Sequence, residues 1–142
     1  MDDLNTATAS AADQQPLLEI DGLSRYFDLG KGRRVHAVDG VSLNIGAREI
    51  VGLVGESGSG KSTLLHILGT LDTPTSGSVR VDGQDPFALP EAALAAFRNR
   101  SIGFVFQDHH LLPQCSVLEN VLIPSIVGPD DGPTIRARAR TL

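Results

Sequence analysis

The sequence predicts an α/β fold centred on a parallel sheet, and three adjoining segments carry the prediction. Glu49-Ile50-Val51-Gly52-Leu53-Val54 is a nearly continuous apolar run, the pattern of a strand buried on both faces. Thr63-Leu64-Leu65-His66-Ile67-Leu68-Gly69 is apolar almost all round and closes on a glycine, as a buried helix does. Between them stands Gly55-Glu56-Ser57-Gly58-Ser59-Gly60-Lys61-Ser62, with the spacing G-x-x-x-x-G-K-S.

That spacing has a mechanical reason. Small residues let successive backbone N–H groups curl around phosphate oxygens, where a bulkier loop would collide with the ligand. Lys61 adds a flexible charge for the β- and γ-phosphates, and the Ser62 hydroxyl is placed to ligate Mg²⁺. The helix beginning at the lysine aims its unpaired amides and the positive end of its dipole at the same anion. Strand, glycine-rich loop and helix in this order are the P-loop NTPase arrangement, which makes a nucleoside triphosphate with Mg²⁺ the expected ligand and residues 55–62 its phosphate cradle.

The remaining elements follow along the chain. Residues 1–16, rich in Ala, Thr, Ser, Asp and Gln, lack periodicity and are expected to form a disordered tail, with one domain over 17–142. Leu17 to Ile20 opens ordered structure and leads to Leu23-Ser24-Arg25-Tyr26-Phe27; Gly30 to Arg34 is a basic turn. Val35 to Ile45 alternates, interrupted at Asp39-Gly40, and reads as two strands or one bent strand. After the helix, Asp72 to Gly77 is turn chemistry, and Ser78 to Gly83 is a short strand closed by Asp-Gly. Pro90 to Arg100 is helical, with Pro90 suited to the first turn; Ile102 to Phe106 is a second apolar strand, closed by Gln107. A short helix is expected over Val117–Leu122, stopped by Pro124, then a loop over Gly128–Pro133 and another helix from Ile135. No internal repeat is evident.

Composition excludes several classes. Hydrophobic residues at 41% can build a core, whereas a net charge of −5 argues against a nucleic-acid partner. Lys31 and Lys61 are the only lysines, so one of two completes the loop. Cys115 stands alone, which rules out an internal disulfide and leaves a structural cysteine or a plain loop residue as the simplest reading. The start, Met1-Asp2-Asp3-Leu4, is acidic where a signal peptide is basic, and no run approaches a membrane span. Any membrane role is therefore expected through a partner. His109 and His110 are adjacent on a loop with no Cys or acidic cluster to complete a metal site, and His36 and His66 have no evident chemical context.

The segment Ser62 to Gly77, with Phe97-Arg98-Asn99-Arg100, Gln107-Asp108-His109-His110-Leu111-Leu112-Pro113 and Leu118-Glu119-Asn120-Val121, resembles the ATPase subunits of ABC transporters, nearest to the lipoprotein-releasing (LolD) type. Related macrolide-exporter subunits share much of the pattern. The resemblance covers about residues 17–142.

It implies a homodimer sandwiching ATP, cytoplasmic and peripheral on the inner membrane through a permease that it drives. It extends the nucleotide site to Tyr26, Gly55, Glu56, Ser57, Gly58, Ser59, Gly60, Lys61, Ser62 and Thr63. Tyr26 matches the aromatic that stacks on adenine, with Phe27 the neighbour should the register slip. Catalytic roles fall to Lys61 and to Gln107, the Q-loop glutamine, and Mg²⁺ ligation to Ser62 and Gln107. His109, His110, Leu111 and Leu112 fall in the groove that receives the permease's coupling helix.

The resemblance also implies parts not found here. No LSGGQ-type signature, no Walker B strand ending in Asp-Glu and no switch histidine occurs between Leu112 and Leu142. Residues 17–142 are thus expected to be an incomplete ABC domain, without turnover alone because no carboxylate matches the water-positioning role. Apolar backbone near Ile50–Val54 should then lie exposed. A nucleotide-binding module without turnover is the alternative function. A small-molecule kinase or GTPase gives no reason for Tyr26 or Gln107, and no Asn-Lys-x-Asp motif occurs.

Overall fold

The computed structural model describes residues 15–108, 110–127 and 132–141. The expected tail over 1–16 lies outside them apart from Gln15 and Pro16, as does most of the expected loop over 128–133. The chain divides into two compact units after Pro86.

The first unit is built on a three-stranded antiparallel sheet. Strand β1 (Leu18–Asp28) is central, with β2 (Arg34–Ile45) on one side and β3 (Ser76–Val81) on the other. Val35 to Ile45 is one bent strand rather than two. Leu29 to Arg33 closes the β1–β2 hairpin, with the Leu29 amide donating to the Arg33 carbonyl at 2.9 Å. Helix α1 (Lys61–Leu68) follows the glycine-rich loop. Core side chains come from every element: Ile20 and Leu23 from β1, Val38 from β2, Leu64 and Ile67 from α1, Val79 from β3. Ile20 stands opposite Val79 on one neighbour and Leu43 on the other.

Ile20 and Leu23 are three apart, so a regular pleat would put them on opposite faces. A bulge resolves the conflict. Three steps on β1, from Ile20 to Leu23, match two on β2, from Leu43 to Val41, and Gly22 takes φ 55°. β2 answers in kind, since Leu23 to Arg25 matches Val41 to Val38, with Gly40 at φ 65°. The two bulges are cross-linked: the Gly22 amide donates to the Ser42 hydroxyl and the Gly40 amide to the Ser24 hydroxyl, each at 2.9 Å. Both strands spell the device the same way, Asp21-Gly22-Leu23-Ser24 and Asp39-Gly40-Val41-Ser42. A third irregularity makes Ala37 an extra residue between Arg25↔Val38 and Tyr26↔His36.

Two expected strands are corrected by the structure. Residues 49–54 and 102–106 form no regular element and pair in no ladder among the described residues. Ile50 and Val54 are 98% and 92% exposed, and Val105 is fully so. The apolar runs mark backbone fit for a buried strand, but pairing needs neighbouring strands, and none among the described residues meets them. Helix α1 is also less buried than its sequence suggests: Leu64 and Ile67 point inward, whereas Leu65 is exposed.

The second unit is helical. Helix α2 (Glu91–Ser101) starts after Pro90, which occupies the cap with ψ 153°, and α3 (Val117–Leu122) is held by a capping box between Ser116 and Glu119. The Ser116 hydroxyl, then the Ser116 amide, hold the Glu119 carboxyl below its usual range. Pro124 does not stop the chain's turning. It falls in the first turn of a 3₁₀ segment, Ile123–Val127, where its missing N–H costs little. Helix α4 (Gly132–Ala139) begins three residues before the expected start.

The cross-linked bulges generate a stability prediction. Ser24 is buried, so Ser24→Ala removes a part-buried hydrogen bond to the Gly40 amide and should lower unfolding free energy by ~1 kcal/mol. Ser42→Ala should cost less, because Ser42 is exposed and water can reach the Gly22 amide. Denaturant unfolding of both variants checks the order.

Candidate functional site

The glycine-rich loop is shaped by three glycines with different duties. Gly58 and Gly60 take φ 82° and 88°, which side chains rarely tolerate. A Cβ on Gly60 would also collide with the Ala37 carbonyl, so the loop lies directly against β2 at its extra residue. Gly55 faces across the loop, where a Cβ would stand 2.8 Å from the Ser59 hydroxyl oxygen.

Lys61 spans the loop. Its ammonium donates to the Gly55 carbonyl at 2.8 Å, the Glu56 carbonyl at 2.6 Å and the Ser59 hydroxyl at 3.1 Å. Helix α1 begins without any side-chain cap and without an acidic residue in its first turn. The amides that a Ser or Asp cap would occupy, at Ser62 and Thr63, stay available to an anion, with the positive end of the helix dipole behind them. A lysine ammonium, an uncapped helix start and a loop admitting no Cβ at Gly60 fit a polyphosphate chain. Ser62, exposed at the first turn, fits a neutral oxygen ligand for Mg²⁺ beside it.

Tyr26 lies on the same unit and close in register. It pairs with His36 across β1–β2, one residue before the Ala37 that meets Gly60. Its hydroxyl donates to Asp39 Oδ1 at 2.7 Å, and its ring lies 4.2 Å from the His36 ring, tilted 36°. His36 Nδ1 is 3.3 Å from Asp39 Oδ2. The Tyr26 hydroxyl, and next His36, hold the Asp39 carboxyl below its usual range. His36, without context in the sequence, thus gains one. Neither it nor Asp39 was legible as a site residue, because only the bulge at Ala37 puts residues three apart on one side of the strand. The neighbouring Phe27 is occupied otherwise, with the Arg25 guanidinium 4.7 Å over its ring while Arg25 also binds Asp72 at 2.8 Å.

Gln107 belongs to the second unit, exposed in a bend directly after the 102–106 segment. Phe104 and Phe106 stack in parallel at 5.2 Å, and His110 meets Phe106 edge-on at 5.0 Å. His109 lies outside the described residues. Leu111 and Leu112 line an apolar cavity of about 310 Å³ with Pro113, Cys115, Val117 and Val121. Asn120 fixes its rim. The side-chain carbonyl accepts from the Leu112 amide at 2.8 Å, while its NH₂ donates to the carbonyls of Leu112, Cys115 and Ser116 at 3.0–3.1 Å.

Comparison with known proteins gives the family and the fold. A family model described as ABC transporter matches residues 38–142. The lipoprotein-releasing system ATP-binding protein LolD of Geobacter metallireducens is 52% identical over 126 residues, 89% of this chain and 56% of that protein. The LolD of Bordetella avium is also 52% identical, over 89% of this chain and 54% of its own length. The chain thus spans about half the length of the curated relatives it matches. A dimeric structure of the ATP-binding cassette MJ0796 in a post-hydrolysis state with ADP and Pi superposes with a TM-score of 0.78 at 38% identity, covering 87% of this chain and 54% of that one.

Asp39 supplies a pH prediction. Its folded-state pKa is depressed, so its contribution to stability is present above the unfolded value of about 3.9 and is lost as pH falls through the folded one. Carboxyl-carbon NMR should place the Asp39 midpoint below that of unpaired aspartates, and Tyr26→Phe should move it upward. An unmoved midpoint in Tyr26→Phe would show that the phenol hydroxyl is not its main partner.

Proposed function

The chain belongs to the ABC transporter family, and from that premise we propose that it is ATP-binding sequence of a transporter subunit that couples ATP binding and hydrolysis to a membrane permease. The work proposed is release of lipoproteins from the inner membrane, on the strength of the LolD relatives. The observation that supports the nucleotide reading is that the Gly60–Lys61 loop and Tyr26 meet β2 at adjacent residues, Gly60 packing against the Ala37 carbonyl and Tyr26 pairing with His36.

In this reading each residue has a physical task. The amides of residues 58–63 and the Lys61 ammonium hold the phosphates, the ammonium exchanging its bonds to the Gly55 and Glu56 carbonyls for phosphate oxygens. Tyr26 supplies a flat face for the base. Mg²⁺, when bound, withdraws charge from the phosphate oxygens, and Ser62 is the residue of the first unit that would hold it. Gln107, a neutral amide in an exposed bend, can orient a water without adding charge. Leu111, Leu112 and His110 belong to the surface proposed to meet the permease, with His109 outside the described residues. The subunit is proposed to be peripheral, held by its permease and paired with a second copy; among the described residues no helix is long and apolar enough to cross a membrane.

Two outcomes test the reading. Lys61→Ala should weaken ATP binding more than about tenfold in calorimetry, as loss of a charge-assisted contact to the triphosphate requires. Phosphate release by these 142 residues alone should stay at background, because no carboxylate matched to the water-positioning role is present. Turnover that disappears in Lys61→Ala would refute that second expectation.

A further inference from the structure

We propose that Asp39 is a positioning residue for Tyr26 and that His36 backs one face of the Tyr26 ring, so that the phenol meets a purine with its other face only. The proposal rests on the reading of Tyr26 as the base platform.

The geometry is a closed triangle. One carboxylate takes the Tyr26 hydroxyl on Oδ1 at 2.7 Å and faces His36 Nδ1 with Oδ2 at 3.3 Å, while the two rings lie 4.2 Å apart. The three groups sit at the irregular part of the hairpin, where Ala37 is the extra residue and Gly40 turns through φ 65°. Without the bulge at Ala37, His36 and Asp39 would point to opposite faces and the carboxylate could not reach both rings. The same Ala37 carries the carbonyl against which Gly60 is fitted, so the triangle and the phosphate loop share one fixed point.

The consequence is preorganisation. A tyrosine on an open sheet face explores several rotamers, and stacking on a base must order it at the moment of binding. Here the hydroxyl bond fixes the far end of the ring, and the imidazole covers one face. The Tyr26 amide is tied as well, donating to the Thr75 hydroxyl at 3.0 Å. With its hydroxyl proton already given to Asp39, the phenol offers the base stacking and no donated hydrogen bond.

The chain contains one tyrosine and no tryptophan, so a ¹³C-tyrosine label reports this ring alone. ATP and inorganic tripolyphosphate are titrated into the full chain as wild type, Asp39→Ala, Asp39→Asn, Tyr26→Phe and the Asp39→Ala/Tyr26→Phe pair, with affinities from calorimetry. Stacking should shift the ring resonances of the wild type with ATP and leave them unmoved with tripolyphosphate. Asp39→Ala and Tyr26→Phe should each weaken ATP about fivefold and leave tripolyphosphate unchanged, and the pair should bind no worse than either alone. Asp39→Asn, which keeps an acceptor, should stay within about twofold of wild type. Wild-type ATP affinity in Asp39→Ala, equal losses for both ligands, or additive losses in the pair would overturn the proposal. A wild-type chain that binds tripolyphosphate as tightly as ATP would refute the base platform itself and the proposal with it. Indifference of both ligands to Lys61→Ala would instead refute the phosphate loop.

Discussion

The pair of reciprocal bulges in β1 and β2 is the constraint on which the first unit depends. Each glycine amide, turned out of the ladder by a positive φ, is taken by a serine hydroxyl of the opposite strand. The exchange gives two backbone donors outside the ladder a protein acceptor, one of them the oxygen of a buried serine. It also resets the pleat, so that Ile20 and Leu23 both enter the core and Val38 joins them from β2. β3 is fitted to the same spot: a Cβ on Gly77 would collide with the Gly22 carbonyl, so this strand can close on the bulge only as glycine. A third residue of positive φ, Gly77 at 84°, thus completes a structure in which three chain segments pass within backbone contact.

From that sheet the glycine-rich loop obtains its position. Helix α1 contributes Leu64 and Ile67 to the core formed by Ile20, Leu23, Val38 and Val79, which anchors the helix start. Gly60 then seats the loop on Ala37. Flexibility and precision are divided between neighbours here. Gly58 and Gly60 supply backbone geometry that other residues resist, and the buried face of α1 supplies the rigidity that glycines lack. The electrostatic requirement is met by omission, since an uncapped and acid-free first turn leaves the helix start to an anion.

Much of this was legible along the chain, for identifiable reasons. The loop and the helix after it are local: six glycines and serines, a lysine and an apolar face fix them without distant partners. The turn at Gly30–Arg34, the Asp82-Gly83 turn and the capping box at Ser116–Glu119 are likewise decided within a few residues. Bulges were signalled too, since Asp-Gly-x-Ser occurs in both strands at corresponding places, but the signal lies in comparing two segments and not in reading either one. The apolar runs at 49–54 and 102–106 read as strands and pair with none among the described residues. A strand's identity resides in its neighbours, and periodicity carries no information about whether a neighbour is there.

The sequence by itself determined the chemistry on offer: a lysine and a small-residue loop at the start of a helix, one tyrosine, one glutamine after an apolar run, and hence the family. What only the tertiary structure decided is which groups act together. Asp39 and His36 were undistinguished in the sequence. They became partners of Tyr26 because one extra residue at Ala37 rotates the strand between them, and the same residue meets Gly60 of the loop. Local backbone preference is written in consecutive residues. Register between strands is a sum of long-range contacts, and a shift of one residue reassigns every side chain to the other face.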